Sequence, residues 1–338
     1  MSRTATVVAT GRCLPERLVS NDELRERFAR HERPELIDRF EENSGIKQRY
    51  WAAPGTTTSD LAATAAKQAL ERANCQASDL DLIILGTDTP DQITPATSVI
   101  LQEKLGAKAA GTFDVSCACA SFPTALASAA GLIQTNPTLN RVLVVGAYLM
   151  HRLADANDPM LFFYGDGAGA AIVEAKTNAP GLCASAFLAN GAYANYWGIT
   201  AGGAREPASH AAVTAGRTQV HLEKRYPPEL NELEWPKLMH RLAKQGEFEM
   251  ADIDLAIFTQ VNAQSIQQVC ESLAIPSERA PKLMDRYGYT GSACVPIALD
   301  HAITSAQVSG GELVTLIGSG VGYNMAGVAF RLPEEMPA

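Results

Sequence analysis

SDLAATAAKQALERANCQASDLDLIILGT, residues 59–87, returns in altered form as WPKLMHRLAKQGEFEMADIDLAIFTQ at residues 235–260. Each copy passes from a helical apolar period through a polar loop into an Asp-x-Asp-Leu-x-Ile strand with a polar end, and Asp79 and Asp252 open the matching strands. Both halves then close on strand pairs built around glycines: RVLVVGA and YGDGAGAAIVEA in the first, ELVTLIGSG and VGYNMAGVAF in the second. One Asp-x-Asp-Leu match could arise by chance, but the same order over four elements reads as a single α/β unit used twice. The division is expected near residue 175, giving halves 1–175 and 176–338. Strands are expected at 82–85, 141–145, 170–173, 255–258 and 313–317, and helices at 59–72 and 235–244. The Gly- and Ala-rich stretch 180–217 reads as strand and loop, and the proline pair and clustered charge of 224–233 as an exposed connection.

The rest of the composition agrees with a globular α/β chain. Its 338 residues, 46% hydrophobic and 19% charged, fit one large or two medium domains and exclude fibrous or disordered classes. With 28 basic against 37 acidic residues the net charge is -9, so nucleic acid is not an expected partner. The polar, charged N-terminus lacks the apolar run of an export signal, which points to the cytoplasm. Residues 115–140 are uncharged but interrupted by Ser, Thr, Gln, Asn and two prolines, so they read as buried core and not as a membrane span. Seven cysteines in such a chain are expected to be reduced thiols.

The chemistry centres on FDVSCACASFPTALASAAGLI, residues 113–133. A short strand leads through Cys117 and Cys119 into a small-residue helix, with Cys119 at the helix start. Unpaired backbone N–H groups and the helix dipole there favour a thiolate, which predicts a lowered pKa and the fastest alkylation among the cysteines. The alternative is that Cys119 is a small buried hydrophobe, the reading kept for Cys117. Cys-x-Cys without further Cys or His partners gives no metal site. The glycine string from Tyr164 to Ala170 precedes a strand instead of a helix, so it reads as a turn between strands and no nucleotide cofactor is expected.

The series FDVSCACASF, VVGAYLM, FYGDGAGAAIV, DLAIFTQVN, RYGYTGSACVPIALDHA and LIGSGVGYNMAGVAF resembles the 3-oxoacyl-acyl-carrier-protein synthase III branch of the thiolase-fold condensing enzymes over nearly the whole chain. The resemblance implies duplicated βαβαβαββ halves in a five-layered αβαβα arrangement, an acyltransferase of fatty-acid-like or polyketide metabolism, and a homodimer with no cofactor. It implies that Cys119, in Ala118-Cys119-Ala120-Ser121-Phe122, takes the acyl group from a thioester. It also implies that the backbone N–H groups of Cys119 and of the Gly318-Ser319-Gly320 loop hold the oxyanion, with Ser319 at the second donor position. Thr94 is implied at a dimer interface formed by residues 88–98, near the partner's acyl pocket.

Departures from the family pattern carry equal information. Where malonyl-condensing members have the His of His-Gln-Ala-Asn and the Asn of Gly-Asn-Thr, this chain has Thr259-Gln260-Val261-Asn262 and Gly288-Tyr289-Thr290. Thr259 and Tyr289 thus occupy catalytic positions, with Gln260 and Asn262 as substrate-binding neighbours, but the two usual enolate donors are gone. Thr259 could equally be a strand-end hydroxyl bonded to backbone, and Tyr289 a pocket wall. The coenzyme A mouth is altered too, with Arg39, Asn43 and Gln264 at its marker positions, which favours an acyl carrier protein over acyl-CoA as donor. Lys237, Arg241 and Lys244 form one helical face to receive that acidic carrier, or simply a solvated one. Three functions follow: acyl transfer without decarboxylation, carbon–carbon bond formation by a non-standard Cys/Thr/Tyr site, or a non-catalytic partner subunit.

Overall fold

Thr57 and Asp60 close a capping box at the start of α1 (Thr58–Arg72), satisfying N–H groups that a helix end leaves open. Its Ala62, Ala65, Ala66 and Ala69 are fully buried, so the helix lies close against the sheet. A computed structural model describes residues 3–336. In the first half β1 (Arg3–Cys13) and α1 are followed by β2 (Leu82–Gly86), α2 (Thr97–Leu105), β3 (Gly111–Val115), α3 (Ser121–Thr135), β4 (Arg141–Tyr148) and β5 (Gly167–Thr177). They make a five-stranded sheet in the order β1-β5-β4-β2-β3, with β3, β2 and β4 parallel and β5 antiparallel to both its neighbours.

The second half repeats the plan. β6 (Leu182–Ala189), α4 (Leu230–Gly246), β7 (Leu255–Phe258), α5 (Ala263–Leu273), α6 (Cys294–Thr304), β8 (Leu313–Gly320) and β9 (Asn324–Arg331) form a sheet ordered β7-β8-β9-β6. Set against the first sheet, the second pairs four strands instead of five in the same order, and at the edge beside β7 the place of the fifth strand of the duplicated βαβαβαββ plan is taken by an irregular segment. The segment that occupies this edge contains Pro281, which has no N–H to give a ladder. Gln260 replaces the ladder with its side chain: Nε2 donates to Pro281 O at 3.1 Å and Oε1 accepts the Leu283 N–H at 2.7 Å.

α3 and α6 pack between the two sheets and touch strands of both, while α1 and α4 cover the outer faces, giving five layers in the order αβαβα. This is the thiolase fold. The glycine string read as a turn belongs in part to β5, where a Cβ on Gly169 would stand 2.7 Å from backbone atoms of Pro296 and Ile297. Glycine there lets the start of α6 press onto the sheet. Fully buried Asp300 of α6 ties the halves together, accepting from Arg12 at 2.7 Å, Arg72 at 2.6 Å and Thr10 at 2.8 Å. Each expected strand lies within an observed one, and the helix expected at 235–244 is longer, Leu230–Gly246, tolerating Pro236 in its second turn. No helix among the described residues is long and apolar enough to cross a membrane.

Candidate active site

Parallel strands present side chains and loops at their carboxyl ends, and here those ends converge. Cys119 follows β3, Asp88 follows β2, Tyr148 ends β4, and Ser319 and Gly320 end β8. All five line one cavity of about 430 Å³ that also takes in Tyr164, Asn231, Asn262, Tyr289 and Tyr323.

Cys119 sits in a single 3₁₀ turn, Ala118–Ala120, that runs directly into α3, and its side chain is buried. Ala118 before it is held at φ 48, a left-handed conformation that costs a non-glycine residue energy and is kept only where the surroundings enforce it. Two contacts enforce it here. Ser121, the residue that replaces the family's glycine, accepts the Cys117 N–H at 2.9 Å and packs on Gly86. From the other half, β8 passes so close that a Cβ on Gly320 would lie 2.6 Å from Cys117 O and 2.9 Å from Cys119 N. Gly320→Ala is therefore expected to push the turn off its position and slow Cys119 acylation at least about tenfold, measured as the rate at which intact protein gains an acyl mass. An unchanged rate would mean the turn does not depend on β8.

The expected thiolate is not what this turn produces. Burial pushes the Cys119 thiol well above its ordinary value, and the nearby Asp88 carboxylate and Cys294 push the same way. Only the Tyr289 hydroxyl, in contact with Sγ, acts against them among the neighbouring side chains. Among the described residues no Lys, Arg or His lines the cavity to offset the burial. The helix start alone does not overcome desolvation, so the Cys119 thiol is held in its neutral form, against the expected lowering of its pKa.

Tyr289 is fixed by backbone: its N–H donates to Phe163 O and its carbonyl accepts from Gly165 N–H, both at 2.9 Å. Burial raises its own pKa well above the ordinary value, and Cys119 and Tyr148 add to this, so it is a neutral donor. Thr259, by contrast, does not line the cavity. Its hydroxyl accepts the Ser319 N–H at 2.8 Å, the backbone-bonded alternative. The Ser319 N–H that the resemblance offers to the oxyanion is thus engaged by Thr259 in this structure. Gln260 is likewise turned away, serving as the edge latch of the second sheet. Asn262 lines the cavity but its Oδ1 caps α5, accepting from Gln264 and Ser265 N–H. Gly318 lies beneath the Cys119–Ala120 backbone.

Thr94 is exposed, in a segment whose Ile93 is 78% exposed. Lys237, Arg241 and Lys244 share the solvent face of α4, whose first residues, Leu230 and Asn231, stand at the cavity. Lys237 is paired with Glu234 at 2.6 Å. Among the cavity residues not singled out from sequence are Asn231, whose Oδ1 accepts from Tyr323 at 2.7 Å, and Asp88. For Asp88 a signal existed, an acid just beyond a buried parallel strand.

A thiol at the meeting of two duplicated halves, under a glycine-bearing strand and facing a partly apolar cavity, is the arrangement of a thiolase-fold enzyme of the acyl-transfer class. Sequence models of 3-oxoacyl-[acyl-carrier-protein] synthase III match residues 113–191, and of its C-terminal portion residues 242–332. The chain is 33% identical over 329 residues to β-ketoacyl-[acyl-carrier-protein] synthase III of Syntrophomonas wolfei subsp. wolfei, covering 96% of each. It superposes on the crystal structure of 3-oxoacyl-(acyl carrier protein) synthase III from Pseudomonas aeruginosa PAO1 with TM-score 0.87 and 26% identity, over 99% of this chain and 100% of that one. The priming β-ketosynthase of the R1128 polyketide pathway gives TM-score 0.86 and 28% identity, over 100% and 98%. The chain belongs to the 3-oxoacyl-acyl-carrier-protein synthase III family and is an enzyme of the acyltransferase class.

Proposed function

We propose that this enzyme takes an acyl group from a carrier-protein or coenzyme A thioester onto Cys119 and passes it to a thiol, amine or alcohol acceptor without decarboxylating a malonyl unit. The observation that carries this reading is at positions 259 and 289. A hydroxyl committed to the Ser319 N–H and a tyrosine resting on the nucleophile stand where two enolate donors are otherwise found. Transfer to an acceptor needs the thiol, an oxyanion donor such as the Cys119 N–H, and a proton acceptor, but no enolate site.

The test is intact-protein mass spectrometry with a panel of acyl thioesters, followed by discharge of the acyl-enzyme to carrier thiols, amines and alcohols. A product retaining the loaded acyl chain supports the reading, and discharge only through malonyl units overturns it. A second reading, carbon–carbon bond formation, is favoured by the synthase names of its relatives.

The same proposal places the enzyme in the cytoplasm as a homodimer. Residues 88–98 would form part of the interface, covering Ile93, and the basic face of α4 would receive the carrier. Sedimentation at micromolar concentration is expected to give a dimer, which Ile93→Asp weakens. A stable monomer at those concentrations would remove the dimer proposal.

A further inference from the structure

Acylating a neutral thiol requires somewhere for its proton to go. Among the described residues no His, Lys, Arg or Glu lines the cavity, and Tyr148, Tyr164, Tyr289 and Tyr323 all hold their protons more tightly than an ordinary phenol because they are buried. One side chain in that lining is a base near neutral pH, and it is Asp88. We propose that Asp88 is the general base of both half-reactions, taking the Cys119 proton during loading and the acceptor's proton during discharge. This rests on reading Cys119 as the acylated nucleophile and adds the group that activates it.

The placement is rigid. Asp88 lies between Thr87 and Thr89, both buried and both tied down. Thr87 N–H donates to Val115 O at 3.0 Å, Thr89 N–H to Thr87 Oγ1 at 3.1 Å, and Thr89 Oγ1 accepts from Leu149 N–H at 2.9 Å. Thr58 Oγ1 donates to Thr89 O at 2.6 Å. The carboxyl of Asp88 meets the Ser292 hydroxyl at 3.4 Å, but that hydroxyl lies closer to Ala147 O, at 2.6 Å. Other titratable groups that feel its charge are Cys119 beside α3, Tyr148 at the end of β4, Tyr164, and Cys294 at the start of α6. None is a cation. Desolvation, only partly offset by hydrogen bonds from its own backbone N–H and from the Ser292 hydroxyl, pushes Asp88 up to about 6, where it is ionised at neutral pH yet basic enough to accept a proton. A thiolate beside this carboxylate is disfavoured, so the pair shares one proton and hands it across.

In loading, Sγ bonds to the thioester carbonyl carbon as its proton moves to the Asp88 carboxylate, directly or through one water. Collapse of the tetrahedral oxyanion breaks the bond to the leaving thiol, which takes that proton from the Asp88 acid. In discharge, the acceptor's N–H, O–H or S–H proton moves to Asp88 as the acceptor attacks. It then returns to the Cys119 sulfur as the acyl–sulfur bond breaks. The carboxylate is restored each time.

The test uses p-nitrophenyl acetate, which acylates a competent thiol whatever the natural donor is, and reads the acetyl mass on Cys119 in quenched samples across about pH 5 to 8. The unmodified enzyme is expected to accelerate about tenfold per pH unit below pH 6 and to level off above it. Asp88→Asn should acylate about a hundredfold or more slowly at about pH 8 and lose the inflection. Asp88→Glu should recover part of the rate. Asp88→Asn is expected to melt no lower than the unmodified enzyme at about pH 8, since a buried charge is removed. Acylation of Asp88→Asn within about threefold of the unmodified rate, or a profile without an inflection near pH 6 in the unmodified enzyme, overturns the proposal. Should the ester acylate Cys119 while no acyl thioester does, the transfer reading fails and the assignment of Asp88 is still decided by the profile.

Discussion

Given an acyl-carrier protein and a malonyl-carrier protein together, the enzyme is expected to gain the acyl mass on Cys119 and to release carbon dioxide at a rate lower by at least about a hundredfold to a thousandfold than a synthase that holds both enolate donors. The argument runs from charge. Loss of carbon dioxide leaves an enolate, and its oxygen has to meet donors already aimed at it, because reorienting them at the moment of reaction forfeits their benefit. Thr259 offers no such donor, since its side chain does not reach the cavity and its oxygen holds the Ser319 N–H. Tyr289 offers one hydroxyl, already seated on the sulfur, and its ring fills space an amide side chain would leave open. Thr259→His combined with Tyr289→Asn is expected to recover part of the decarboxylation. Rapid release of carbon dioxide by the unmodified enzyme, matched by a 3-oxoacyl product, would restore a condensing enzyme.

Replacing Cys119 by Ala is expected to remove the acyl adduct entirely and to lower turnover by about a thousandfold or more, because no second thiol shares its position against the cavity. The companion measurement separates position from intrinsic reactivity. Iodoacetamide is expected to modify exposed Cys183 and half-buried Cys117 before Cys119, whose thiol is enclosed and neutral. Acyl thioesters should nonetheless load Cys119 alone, because the cavity holds the carbonyl beside the sulfur while alkylation depends on exposure and thiolate. An acyl mass on the Ala variant would remove Cys119 from the centre of the reaction.

Periodicity and repetition made the architecture legible. The Asp-x-Asp-Leu strands at 79 and 252 and the two glycine-rich strand pairs marked the same unit twice, and the structure places them at matching positions in two sheets. What hydrophobic period could not convey is the lost edge strand, because an unpaired strand and a loop pinned by Gln260 have the same apolar content. Cys119 was legible from its local setting, a small-residue turn between strand and helix whose strain falls on Ala118. Its pKa was not, since desolvation is set by groups distant in sequence: Tyr289 is 170 residues away. Thr259 was legible as a position and not as an orientation; the hydroxyl could face cavity or backbone, and only the nearness of Ser319 N–H decides. Asp88 was legible as an acid just beyond a buried parallel strand, but not as a neighbour of Cys119, because the cavity that brings the two together is assembled from elements far apart in sequence.

The approach of Gly320 to the Cys117–Cys119 backbone has a consequence for how the enzyme comes into being. During synthesis the nucleophile leaves the ribosome some 200 residues before the strand that seats it, the interval between positions 119 and 320. Until β8 and β9 arrive, the thiol has its residue but not its mount. The mount of Cys119 is therefore completed only once β8 is in place. A polypeptide that stops short of β8 is expected to carry the cysteine without the strand that seats its turn, and so to gain no acyl mass.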